Sequence, residues 1–112
     1  MLKNKAVLKI DTSVQSAVTV EIGSGSYKDV IVESQKLGSQ VLLTTIVKIL
    51  KKNKIKFSDL ISIYVNPGPG SFTGTRVGVT VANTLGFILK IPVNGKKGKI
   101  VLPIYEKSKF DK

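Results

Sequence analysis

Cysteine and histidine are both missing from this chain of 112 residues, and arginine occurs once, at Arg76. No cysteine means no disulfide and no thiolate nucleophile. No histidine means no imidazole acid–base catalyst, and the two absences together remove Cys/His zinc sites. Acidic residues number only 7 and are scattered, so no paired-carboxylate motif of the glycosidase kind can be built. Serines are plentiful, but none has a recognisable base beside it. Composition therefore argues against an independent enzyme, and neither a metal nor a cofactor is expected. A cysteine-free chain suits the cytoplasm. Met1 to Ser13 mixes charged and apolar residues, so no secretory leader is expected. The uncharged stretch Val77 to Leu89 is too short for a bilayer span of ~20 residues, so no membrane association is expected.

What is present is one domain's length of chain with a strong positive charge. At this size roughly two-thirds of the unfolded surface is buried on folding, enough for a core without staples. The net charge is +11, from 18 basic and 7 acidic residues. All the basic residues except Arg76 are lysine. Lysines neutralise phosphates, which fits a salt-sensitive attraction for nucleic acid. Specific phosphate and base readers favour the arginine fork, so a lysine-rich genome explains the same charge equally well.

Alternation and turn residues set out the elements. Ala6 to Ile10 reads as a strand ending at the polar turn Asp11-Thr12-Ser13. Ala17 to Ile22 alternates with a period of two. Gly23 to Ser26 is a hairpin turn, and Tyr27 to Glu33 a third strand, giving an antiparallel meander. Gly38 to Asn53 reads as a helix with Ser39 as N-cap and Lys48, Lys51 and Lys52 near its C-terminal end. Leu42, Leu43, Ile46, Val47, Ile49 and Leu50 cover about half of its circumference. That arc fits either two buried sides or one thick core. Ile61 to Val65 is a fourth strand, and Gly74 to Lys90 a second helix with Pro92 beyond its end. Ile91 to Val93 is expected as a fifth strand and Lys99 to Tyr105 as a sixth apolar segment. Glu106 to Lys112 reads as a frayed basic tail. The order implies a mixed sheet of five or six strands with two main helices in a single α/β unit over residues 1–112.

Two features single out the second helix. Gly78, Ala82 and Gly86 recur every four residues, and interior glycines cost about 1 kcal/mol each relative to alanine. Close approach of another backbone offsets that cost, whether from this chain's own sheet or first helix or from a helix of another chain. The helix is also preceded by Asn66-Pro67-Gly68-Pro69-Gly70-Ser71-Phe72-Thr73-Gly74, where the prolines and glycines force a sharp turn. The free N–H groups at Ser71, Phe72, Thr73 and Gly74 either cap themselves through Ser71 or Thr73 or receive an anion. The segment is not a P-loop, because Gly74 is followed by Thr75 and Arg76 rather than Lys and Ser/Thr. Asp11, Thr12 and Ser13 are candidates beside a phosphate; an Asx-turn closing on Ser13 or Val14 is the simpler reading.

These segments carry a family resemblance. Val7-Leu8-Lys9-Ile10-Asp11-Thr12-Ser13, Asp59 to Val65, Gly68-Pro69-Gly70-Ser71-Phe72-Thr73-Gly74-Thr75-Arg76-Val77-Gly78 and Leu89-Lys90-Ile91-Pro92-Val93 resemble the N-terminal half of the TsaB (YeaZ) family. Order and spacing agree from about Ala6 to Val93. The resemblance implies an RNase H-like, actin-like fold and a non-catalytic subunit of the machinery that makes threonylcarbamoyladenosine in tRNA. It implies pairing with a TsaD-like catalytic paralogue and recruitment of a TsaE-like ATPase. It further implies that helices of this half make the pairing surface, for which the candidates are Leu42, Leu43, Ile46, Val47, Leu50, Gly78, Ala82 and Gly86. Thr75 stands where the family usually has leucine, and Ser34-Gln35-Lys36 lacks the usual glutamate pattern before the first helix. Measured against that resemblance the family's second lobe is expected to be missing, with Val101 to Tyr105 resembling its closing strand. One lobe implies half a nucleotide cleft and weak nucleotide binding at most. A homodimer is expected in isolation, with tRNA reached mainly through the complex. The alternative is an autonomous tRNA-binding module using Lys48 to Lys56 and Lys96 to Lys99. A small peptidase-like enzyme is disfavoured by the missing side chains.

Overall fold

Residues 5–14, 16–34, 41–70 and 72–104 are described by the computed structural model. Alternating β-branched and polar residues give the strands one apolar face. β1 (Ala6–Asp11), β2 (Ala17–Ser24) and β3 (Tyr27–Ser34) form an antiparallel meander. β4 (Leu60–Val65) lies parallel to β1 on its other side, so the strand order is β3-β2-β1-β4. Register places Leu8 beside Ile22 and Ile63, and Ile10 beside Val20 and Val65. All of these are buried on one face. The opposite face carries Lys9, which pairs in register with Glu21 and Tyr64 and reaches the Glu21 carboxylate at 3.7 Å.

Both helices cover the apolar face. α1 (Val41–Lys52) lies over β2 and β3, and α2 (Phe72–Leu89) over β4 and β1. α1 turns Leu42, Thr45, Ile46, Ile49 and Leu50 inward, a spacing that makes a single stripe. Its outer edge is tied to β3 by Lys48 on Glu33 and by Lys52 on Asp29 at 3.3 Å. Asn53 closes its end, donating to the Ile49 carbonyl at 2.8 Å and to Asp29 at 2.9 Å. The broad arc read from the sequence thus resolves into one thick core, with Leu43 and Val47 left outside it.

Among the described residues the sheet has four strands, fewer than the five or six expected. The segment after α2 meets β4 through a single bridge, Ile63 with Val93. Ile63 donates to the Pro92 carbonyl at 3.0 Å and accepts from the Asn94 N–H at 2.8 Å. The chain then turns away, because Asn94 has φ 52 and Gly95 has φ 80. The Asn94 side chain takes over, accepting from the Val65 N–H at 2.8 Å and donating to the Val65 carbonyl at 3.0 Å. Residues 99–104 form no strand either. Asn83 of α2 holds Val101 by both its backbone groups, at 2.9 and 3.0 Å, and Ile104 donates to the Pro67 carbonyl. The expected Ser39 cap and basic tail lie outside the described residues.

Candidate functional site

The end of β1 meets the turn before α2. Asp11 is the last residue of β1, and its Oδ1 accepts from the Ser13 N–H at 2.9 Å and the Ser13 hydroxyl at 2.7 Å. Its Oδ2 accepts from Asn66 Nδ2 at 3.3 Å, and the same amide reaches the Ser13 hydroxyl at 3.2 Å. Asn66 Oδ1 in turn accepts from the Gly68 N–H at 3.0 Å. Partial burial pushes the Asp11 carboxyl up, but the bonds from Ser13 and Asn66 outweigh it and hold it below the ordinary aspartate value. The carboxylate is therefore charged at neutral pH and already engaged, the Asx-turn arrangement. Asn66 was not among the sequence candidates; its position just after a strand and before Pro67 was the available signal.

Thr12 is buried and donates its hydroxyl to the Gly74 carbonyl in the first turn of α2. That bond joins the sheet to the helix. A side chain at Gly70 would strike the Ser13 backbone, so the turn is packed directly onto the end of β1. Gly74 and Thr75 are buried and Thr73 is exposed. Thr75 has no partner for its buried hydroxyl. Ser71 lies outside the described residues, and Phe72 opens α2. Of the seven phosphate candidates the structure brings Asp11, Thr12, Ser13 and Gly74 together, in contacts with one another or with Asn66.

The expected partner surface is rearranged. Leu42, Ile46 and Leu50 are buried in the core, as is Ala82. A Cβ at Gly78 would overlap the Thr12 side chain, and one at Gly86 the Val93 side chain. The small-residue stripe therefore seats α2 on its own chain, which settles why glycine is tolerated there. Of the eight residues, only Leu43 and Val47 are exposed, at 46% and 38%. Val77 of α2 adds 40%, and the wheel of that helix could have pointed to it, since it lies off the glycine stripe. In the lysine cluster Lys48 to Lys56, Lys48 and Lys52 are spent on ion pairs with β3. Among the described residues, no helix is long and apolar enough to cross a membrane.

The family model described as "TsaD: tRNA N6-adenosine threonylcarbamoyltransferase" matches residues 32–95. The tRNA threonylcarbamoyladenosine biosynthesis protein TsaB of Buchnera aphidicola (from Schizaphis graminum) is 32% identical over 89 residues, which are 80% of this chain and 42% of that protein. TsaB of Bacillus subtilis is 56% identical over 36 residues, 32% of this chain and 16% of that protein. The solved structure of YeaZ from Pseudomonas aeruginosa superposes with a TM-score of 0.73 at 30% identity, covering 80% of this chain and 42% of that one. The chain thus spans about two-fifths of the length of the Buchnera and Pseudomonas relatives, and the match is to an RNase H-like fold.

Proposed function

The chain belongs to the TsaB (YeaZ) family, and on that premise we propose that it serves threonylcarbamoyladenosine modification of tRNA as a non-catalytic subunit paired with a TsaD-like enzyme. The observation that carries the reading is the helix layer. Leu43 and Val47 of α1 and Val77 of α2 stay exposed after both helices have satisfied their own sheet. Short, mostly β-branched side chains let helices of another chain approach closely. The polar cluster supports the same reading from the other side. Asp11 is engaged by Ser13 and Asn66 and faces neither a histidine nor a cysteine. Its role is to hold the turn before α2, so tight nucleotide binding and hydrolysis are not expected. The pairing surface is centred on Leu43, Val47 and Val77, and the buried stripe Gly78, Ala82 and Gly86 supports it from beneath. In isolation the same surface pairs two copies of the chain. tRNA, and a TsaE-like ATPase, are met through the complex.

Co-expression with a TsaD-like paralogue, followed by size exclusion with light scattering, tests this. One-to-one co-elution is expected. Val47→Asp should abolish it while the circular dichroism spectrum is unchanged, since Val47 is outside the core. Full co-elution by a Leu43→Asp, Val47→Asp double variant would overturn the assignment of the surface.

A further inference from the structure

At the C-terminal end of α2 lies a groove of about 530 Å3, far along the helix from the Asp11 cluster. One wall is the last turns of α2, with Phe87 and Ile88 exposed at 86% and 64%. The other is the chain from Lys96 to Ile100. Gly86 and Val93 close the floor, where the glycine lets the returning chain lie against the helix. The far wall is anchored at Val101 by the two hydrogen bonds from Asn83. Four lysines, Lys90, Lys96, Lys97 and Lys99, line the groove, and no acidic residue does. None of the four takes part in the ion pairs found among the described residues.

We infer that this groove docks an acidic amphipathic helix of a partner protein. An exposed cluster of large apolar side chains beside lysines of one sign is complementary to an apolar stripe flanked by Asp and Glu. Phe87, Ile88 and Ile100 lose their contact with water, and the lysines gain carboxylates at the rim, where they set encounter rate and orientation. A nucleic-acid strand meets the lysines but leaves that apolar surface uncovered. A lone phenylalanine gives it no series of rings on which to stack. The inference does not depend on the pairing proposed above, which uses Leu43, Val47 and Val77.

The test is fluorescence anisotropy of the full chain with three labelled probes. The first is a helical peptide with a leucine stripe flanked by glutamates. The second is its twin with lysine in place of each glutamate, and the third a single-stranded oligoribonucleotide. The acidic peptide is expected to bind, with affinity that weakens as salt rises. Lys96→Glu with Lys97→Glu should reduce that affinity at least tenfold. Phe87→Ser should do so at an unchanged circular dichroism spectrum, because its side chain supports nothing in the core. Val47→Asp should leave it unaltered. Equal binding of the lysine twin, displacement of the acidic peptide by equimolar oligoribonucleotide, or indifference to the lysine and phenylalanine substitutions would overturn the inference.

Discussion

α1 and α2 rest on the same face of the same sheet, yet they are seated by opposite means. α1 drives large side chains, Leu42, Ile46, Ile49 and Leu50, into β2 and β3. It then staples its rim with Lys48 and Lys52. α2 removes side chains at Gly78 and Gly86 so that its backbone comes up against Thr12 and Val93. The first arrangement is stabilised by buried apolar area, which accommodates small changes of shape by repacking. The second depends on the absence of atoms and has no slack. One helix is therefore sensitive to losing volume and the other to gaining it.

Ile46→Ala gives the sharpest test on the α1 side. Ile46 is fully buried, and truncation there should cost about 2–5 kcal/mol, read as a lowered urea midpoint. Gly78→Ala probes the α2 side with a single added methyl group. Overpacking against Thr12 should cost about 1–3 kcal/mol, partly offset by about 1 kcal/mol of helix propensity. A net gain in stability would break the comparison, because it would mean that α2 can lift off the sheet freely. Thr75→Val should act in the opposite direction. It removes the buried hydroxyl that lacks a partner and keeps the shape, so a gain of about 1 kcal/mol in the same denaturation assay is expected.

The smallest effect is in acid. Asp11 anchors the turn before α2, and Asp29 anchors α1 through Asn53 and Lys52. Both carboxyls are held below the ordinary value, Asp11 by Ser13 and Asn66 against the cost of burial, Asp29 chiefly by the Asn53 amide. A depressed carboxylate contributes stability above its unfolded pKa, and that contribution is lost as pH falls through the folded value. Asp11→Asn should flatten the acid limb of a stability–pH profile more than Asp29→Asn, since part of the hold on half-buried Asp29 is an ion pair with Lys52, whose exposed ammonium is screened by solvent. The reverse order would show that α1 leans on its polar rim more than its apolar stripe implies.

The four strands and both helices were legible because their periods are clean. β2 alternates through Val18, Val20 and Ile22, and the inward residues of α1 recur at three and four. The small-residue stripe was visible too, and of its readings the one observed is packing within this chain, against Thr12 just past β1 and Val93 after α2. What stayed hidden was anything decided by a side chain replacing backbone. Ile91 to Val93 has a strand's composition, but Asn94 turns left-handed and supplies the next pair of sheet hydrogen bonds from its amide. Asn83 does the same for Val101, so residues that read as a sixth segment hang on a helix instead. Part of the candidate interface proved to be core for a related reason. A wheel shows how wide an apolar arc is but not how thick the core beneath it is, and the sheet absorbed Leu42, Ile46 and Leu50.

The bonds of Asn94 also bear on aggregation. An unprotected edge strand offers a row of free donors and acceptors to any passing chain. On the β4 side, Ile63 is saturated by Pro92 and the Asn94 backbone, and Val65 by the Asn94 amide. Pro92 and Asn94 together thus blunt this stretch of the sheet's border. Replacing Asn94 with alanine would leave the N–H and carbonyl of Val65 without these two partners.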